Sequence, residues 1–273
     1  MQLQNAKARF EQQGIALAAI SYDNAAILKD FADRHQIKFA LLADPNSEII
    51  RRFNVLNAEA AGKSKGMAHP GFFYIDAGGT IREKYFEAKD SDRFTPNNVM
   101  EKLFPALTAE VSQNLDAPHL RLTLEQSDRE VIAGSRVSLI AEIELPPGVH
   151  VYAPGVQGYK PIHLDLPEAS GIQFAPAIYP SPQILYLEAI QEHVPVFEGR
   201  FRVTQDVTVK VSKAREAVHS LVSSRRTISI AGTMQYQACD DRICYPPTSV
   251  PVMWSLDVLP LDLKRAPSDV RHK

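Results

Sequence analysis

The stretch Ile228-Ser229-Ile230-Ala231-Gly232-Thr233-Met234-Gln235-Tyr236-Gln237-Ala238-Cys239-Asp240-Asp241-Arg242-Ile243-Cys244-Tyr245-Pro246-Pro247 contains both cysteines of the 273-residue chain. Ile228-Ser229-Ile230 alternates like a strand, Gly232 follows, and Pro246-Pro247 cannot donate to a ladder, so the two sulfurs are expected to flank a tight turn between strands. Such a turn can bring two Cα atoms within disulfide range. Three chemistries suit it. A structural disulfide is the plainest, but closing about six residues stabilises a fold by only about 2 kcal/mol, against about 5 for a hundred-residue loop. A zinc site needs about four ligands, and neither a second cysteine pair nor a neighbouring His-x-x-x-His accompanies these two. A reversible redox pair is favoured, because two thiols close in sequence on an accessible turn exchange without large rearrangement. Asp240 and Asp241 are expected to raise the thiol pKa and Arg242 to lower it.

Ile230 through Cys239, continued by Cys244-Tyr245-Pro246-Pro247, resembles the periplasmic N-terminal domain of the DsbD thiol:disulfide interchange family. His150-Val151-Tyr152-Ala153-Pro154, Tyr179-Pro180-Ser181-Pro182 and Val196-Phe197-Glu198-Gly199-Arg200 extend the likeness over about residues 119 to 258. The resemblance implies an immunoglobulin-like sandwich. It also implies a cysteine pair that accepts electrons from a membrane-embedded partner and hands them to thioredoxin-like proteins. Cys239 and Cys244 match that pair, with an intervening segment one residue shorter than in the best-known member, and Cys244 is the expected attacking thiol. The family shields its disulfide with an aromatic-bearing cap loop, for which Leu187 to His193 offers no clear equivalent.

With 45% hydrophobic residues the chain can build two cores, and its length favours two domains. Thirty basic against 32 acidic residues give a net charge of −2, so no nucleic-acid partner is expected from charge. No stretch approaches the ~20 apolar residues of a membrane span, and Met1 to Lys7 does not read as a secretory signal. A cytosolic location would keep the thiols reduced, in conflict with the oxidising compartment that the resemblance implies.

In the N-terminal half, Leu3, Ala6 and Phe10 mark a helix stopped at Gly14. Ile15 to Tyr22 reads as a buried strand, Asn24 caps a helix through His35, and Phe39 to Asp44 reads as a second strand before Pro45. A short helix over Ser47 to Phe53 follows. Phe72 to Asp76 and Ile81 to Phe86 flank Ala77-Gly78-Gly79 as a hairpin, and a last helix starts at Thr95-Pro96. This order resembles the peroxiredoxin (AhpC/TSA) branch of the thioredoxin fold from its first helix onward. The specific points are Ser21-Tyr22-Asp23, Leu42-Ala43-Asp44-Pro45 and His69-Pro70, where Pro70 is a candidate cis residue. In that family a central strand and a reactive-cysteine loop precede the first helix. Residues 1 to 238 hold no cysteine, so this half cannot form the thiolate that peroxide chemistry requires. The favoured expectation is an N-terminally truncated exported protein; a degenerate binding domain is the alternative.

The expected organisation is a thioredoxin-like domain over 1–105, a linker over 106–118, an all-β immunoglobulin-like sandwich over 119–258 and a polar tail over 259–273. Leu120 to Leu124, Arg136 to Ile143, Ile162 to Leu166, Phe201 to Val203 and Val207 to Val211 alternate at period two. His150, His163 and His193 read as ordinary polar histidines, Trp254 as core, Gly78-Gly79 as a turn, and Ser21-Tyr22-Asp23 as no triad. Together these readings point to a bacterial thiol–disulfide oxidoreductase using Cys239 and Cys244, without cofactor or metal and without peroxidase activity. Its expected partners are thioredoxin-like or membrane thiol–disulfide proteins, and its location is periplasmic or otherwise exported. The competing class is a non-enzymatic interaction module with a structural disulfide, as a fragment of a larger peroxiredoxin-like antioxidant protein.

Overall fold

The computed structural model describes residues 2–87, 89, 91–105, 111–187, 191–210, 225–260 and 267. The chain divides into two compact units, one built from the residues up to Leu103 and the other from Phe104–Pro260.

The first unit opens with α1 (Gln2–Gln12), which buries Ala6 and Phe10 and ends before Gly14, where φ is +72°. β1 (Ala18–Ser21) pairs in parallel with β2 (Ala40–Ala43), and α2 (Ala25–His35) joins them. Asn24 caps α2 by accepting a hydrogen bond from the Ile27 amide at 3.0 Å. α3 (Glu48–Arg52) is not capped by the side chain of Ser47. The Asp44 carboxylate does that work, accepting from the amides of Glu48 and Ile50, each at 2.9 Å. A 3₁₀ turn over Gly62–Ser64 leads to β3 (Gly71–Ile75), which pairs antiparallel with β4 (Ile81–Phe86). β5 (Arg93–Phe94) and α4 (Pro96–Leu103) follow, with Thr95 Oγ1 accepting from the Asn98 amide at 3.0 Å. The element order expected from sequence therefore holds, but the buried strand over Ile15 to Tyr22 does not. β1 is shorter and leaves Ile20 38% exposed, because β2, its one ladder partner among the described residues, is itself largely exposed and Leu42 is 49% exposed. No cis peptide occurs among the described residues, so the bond preceding Pro70 is trans.

Among its described residues the second unit is built from strands, in three sheets. The first orders its strands β12 (Ile172–Ile178), β15 (Arg200–Val209), β9 (Ser135–Glu144), β7 (Leu120–Gln126) and β6 (Val111–Ala117). The second runs β11 (His163–Asp165), β16 (Arg226–Tyr236), β18 (Thr248–Val258) and β8 (Glu130–Val131). The third runs β13 (Gln183–Leu187), β14 (Glu192–Glu198), β10 (His150–Tyr152) and β17 (Ala238–Cys239). Leu122, Leu139, Ile143 and Val203 of the first sheet and Ile230, Met234, Trp254 and Leu256 of the second belong to one buried cluster. Trp254 is core as expected, its indole N–H donating to the Glu125 carbonyl at 2.8 Å.

Two sequence expectations are corrected. Phe201 to Val203 and Val207 to Val211 do not form separate strands: the described part is continuous as β15, since Thr204, Gln205 and Asp206 keep the ladder to β9. The linker expected over 106–118 holds β6, paired along its length with β7. Asn114 and Asp116 conceal that strand in the sequence, and the pairing with β7 supplies what the side-chain pattern lacks. Residues 106–110, Val211 and all of the tail beyond Pro260 except Pro267 lie outside the described residues.

Candidate functional site

β16 and β18 form one long antiparallel hairpin, in register from Arg226 against Val258 to Tyr236 against Thr248. Gly232 permits this hairpin to carry β11 on its other side, because a Cβ there would lie 2.3 Å from the Asp165 carbonyl oxygen. Beyond Tyr236 the chain leaves the second sheet and enters the third. β17 pairs with β10, placing Cys239 opposite His150 and Ala238 opposite Val151. The hairpin's end loop therefore belongs to a sheet different from that of its two arms.

Within that loop Cys239 and Cys244 form a disulfide with Cα atoms 4.0 Å apart. The turn is fixed from both sides. The Tyr245 amide donates to the Ala238 carbonyl and the Asp240 amide to the Ile243 carbonyl, both at 2.9 Å. One Asp240 oxygen accepts from the amides of Arg242 and Ile243 at 2.8 and 2.9 Å, and the other accepts from the Tyr245 hydroxyl at 2.7 Å. These donors, with the Ile243 amide foremost, hold the Asp240 carboxyl down at about 2. The Tyr245 ring stacks on His119 at 3.7 Å, anchoring the far end of the loop. Asp240, expected from sequence to act on the thiols through its charge, is thus engaged as the organiser of their turn.

The two sulfurs differ in their surroundings. Cys239 is 1% exposed, packed with Tyr152, Val194 and Val196, whereas Cys244 is exposed. The Tyr152 hydroxyl lies 3.6 Å from Cys244 Sγ and 3.7 Å from Cys239 Sγ. A disulfide carries no S–H, so the phenol is the donor to both sulfurs. Burial raises the Tyr152 pKa, followed by the charge of Glu192, which keeps the phenol protonated at neutral pH. Tyr159, from the loop between β10 and β11, stacks on Tyr152 with ring centroids 4.3 Å apart and donates its hydroxyl hydrogen to Glu192 at 2.8 Å. That hydrogen bond pushes the Tyr159 pKa up to about 12. Tyr159 thus adds a second aromatic ring to the cluster that holds Tyr152 and Cys239, from a loop other than the one considered in the sequence. Of Leu187 to His193, residues 188–190 lie outside the described residues.

Both sequence-predicted site residues meet here. Three others were missed. His150 is no ordinary polar histidine: it is 3% exposed, directly across from Cys239, and its ring lies 5.5 Å from that of Tyr152 in an edge contact. His163 and His193 are exposed, as an ordinary polar histidine would be. The period-two spacing of His150 and Tyr152 was the available signal for these two, but nothing local ties β10 to β17. Tyr159 had no signal at all. Among the described residues, no helix is long and apolar enough to cross a membrane.

Residues 1–84 match the AhpC/TSA family, and residues 122–253 match the thiol:disulfide interchange protein DsbD, N-terminal. The first unit thus carries a thioredoxin-like AhpC/TSA region and the second a β-rich domain of the DsbD N-terminal kind, whose cysteine pair forms a disulfide. No curated protein sequence matches the chain. Similar solved structures include the N-terminal periplasmic domain of ScsB from Proteus mirabilis, at 16% identity and TM-score 0.32, covering 57% of this chain and 53% of that one. The reduced DsbD N-terminal domain of Neisseria meningitidis is 12% identical with TM-score 0.27, over 44% of this chain and 82% of that one. The chain thus spans about half the length of the ScsB domain.

Proposed function

We propose that the second unit is a thiol–disulfide relay of immunoglobulin-like sandwich architecture, over about 119–258, working in the periplasm or another exported compartment. Cys244 is its attacking thiol and Cys239 its resolving thiol. The observation that carries this reading is the unequal burial of the disulfide's two residues, Cys239 at 1% exposure and Cys244 exposed. A staple needs no such asymmetry; exchange does. In the reduced state the Cys244 thiolate attacks a partner disulfide, one partner sulfur leaves as a thiolate, and a mixed disulfide forms. Cys239 then attacks Cys244 Sγ and expels the second partner thiolate, so that two electrons pass to the partner and the Cys239–Cys244 bond is restored. The Tyr152 O–H, within 3.7 Å of both sulfurs, donates to whichever carries negative charge.

The electron acceptors in this reading are thioredoxin-like proteins, and the donor that reduces the pair again is a membrane thiol–disulfide protein. The first unit contributes no redox chemistry of its own in residues 1–103, which hold no cysteine.

The test is covalent trapping. Each single cysteine-to-serine variant, reduced, is incubated with a thioredoxin-like protein that lacks its own resolving cysteine and carries its remaining cysteine as a mixed disulfide with 2-nitro-5-thiobenzoate, so that attack by the variant's thiol expels that thiolate, and the mixture is run on non-reducing gels. Cys239→Ser should accumulate a reducible mixed disulfide, because nothing is left to displace the partner, while Cys244→Ser should accumulate none. Equal small losses of stability with no covalent complex from either variant would return the loop to a structural role.

A further inference from the structure

The resolving step has a proton to dispose of. Cys239 must become a thiolate before it can attack Cys244, yet it is 1% exposed. Burial in apolar surroundings raises a thiol pKa above its free value of about 8.5, so at neutral pH the unaided residue would be almost wholly S–H. A base must stand beside it. Tyr152 cannot serve, since its phenol is already a protonated donor and burial raises its pKa further.

His150 occupies the remaining position. It faces Cys239 as a directly opposed antiparallel pair, which puts both side chains on one face of the sheet with Cβ atoms about 5 Å apart. The imidazole is 3% exposed and its Nε2 has no hydrogen-bond partner among the described residues. An orphaned buried ring nitrogen carries a desolvation cost with no structural return in the disulfide state. The surroundings explain how the ring remains available. Its edge packs on Tyr152 of the same strand, Glu198 of β14 lies opposite it, and Asp241 and Asp240 of the cysteine turn are the other charges acting on it. Burial is the largest influence and lowers its pKa; the three carboxylates, Glu198 foremost, act in the other direction. The net direction favours neutral imidazole, which can accept a proton.

We propose that His150 is the proton acceptor of the resolving step, its unpartnered Nε2 taking the Cys239 thiol proton when the disulfide is open. This rests on the thiol-exchange reading above. The step balances: the Cys239 S–H proton passes to imidazole, the Cys239 thiolate attacks Cys244 Sγ, and the bond from Cys244 to the partner sulfur breaks with its electron pair on the partner. The imidazolium then returns its proton to solvent or to the departing thiolate. The carboxylates of Glu198, Asp240 and Asp241 stabilise the transient cation.

The experiment uses the full reduced chain and 5,5′-dithiobis(2-nitrobenzoate), which releases one coloured thiolate when Cys244 attacks and a second when Cys239 resolves. The chain has two cysteines, so both releases are assignable. In His150→Gln the first release should keep its rate, and the second should slow on the order of 10²-fold at pH 7, as for loss of a positioned base. The second release of the wild-type chain should reach a plateau near neutral pH, whereas that of His150→Gln should keep rising into the alkaline range. An unchanged rate and pH profile of the second release would overturn the assignment while leaving the exchange reading intact. Absence of the first release from the wild-type chain would overturn both. A measurement that needs no variant is the NMR titration of His150 in the two redox states. Its midpoint should move when Cys239 becomes a thiol, and superimposable curves would overturn the proposal.

Discussion

The two units spend their apolar residues differently. In the second, Leu139 and Ile143 of one sheet and Trp254 and Leu256 of another share one buried cluster, each 3% exposed or less. In the first, Ile20, Leu42 and Ile75 on the strands are between 38% and 49% exposed, and burial is concentrated at Ala6, Phe10, Ile50, Val99 and Met100. A strand with a partner on one side and no sheet packed on its face keeps its hydrogen bonds but forgoes most of the transfer free energy of its side chains, about 25 cal/mol per Å² left in water. Chemistry follows the same division. A buried sulfur beside an exposed one requires a rigid wall behind the first, and the second unit has that wall in Val194, Val196 and Tyr152.

The sharpest way to break this comparison is to look for the wrong chemistry at the cysteine pair. Thiol-dependent peroxide consumption by the full chain should stay at the background rate of an ordinary thiol, because Cys239 and Cys244 sit on a sheet turn and not at a helix N-terminus that lowers a thiol pKa. Turnover at a peroxiredoxin's rate, abolished by Cys239→Ser, would contradict it.

The next effect is energetic. Leu139→Ala, at a site with 0% exposure, should cost about 2–5 kcal/mol in chemical denaturation followed by the fluorescence of Trp254, the chain's sole tryptophan. Ile20→Ala, 38% exposed, should cost under about 1 kcal/mol, read from hydrogen exchange of the β1–β2 amides. Similar losses at both positions would mean that the first unit closes a core as tightly as the second.

Reducing the disulfide should lower the second unit's stability by about 2 kcal/mol, the loop-closure value for so short a ring. A loss of 4 kcal/mol or more, on the order of a long-loop staple, would shift the loop from exchange towards architecture.

The smallest effect concerns pH. Asp240 is held down to about 2 by the Ile243 amide, the Tyr245 hydroxyl and the Arg242 amide, in that order. A depressed folded-state pKa contributes stability that is present above the unfolded carboxyl value near 3.8 and is lost as pH falls through about 2. The wild-type second unit should therefore weaken between those two values more than Asp240→Asn does, as measured by denaturation midpoints at pH 5 and pH 2. Parallel midpoints in the two proteins would remove Asp240 as the turn's organiser.

Local signals in the sequence were sufficient wherever a residue acts on its own neighbourhood. Asn24 caps α2 three residues away, Gly78-Gly79 turns the β3–β4 hairpin, alternation marks β7, β9 and β18, and the spacing of Cys239 and Cys244 forces their bond into a tight turn. Each of these depends on backbone geometry within a few residues. Tertiary structure alone decided the rest. β6 exists because β7 offers it a ladder, Tyr159 joins the site only by stacking on Tyr152, and His150 meets Cys239 only because the end of the β16–β18 hairpin crosses into a third sheet. A side-chain pattern records which face of a strand is apolar, but not which distant strand will pair with it. The cysteines were therefore legible from their spacing, while the histidine and tyrosines that act on them were fixed by pairings among strands remote in sequence.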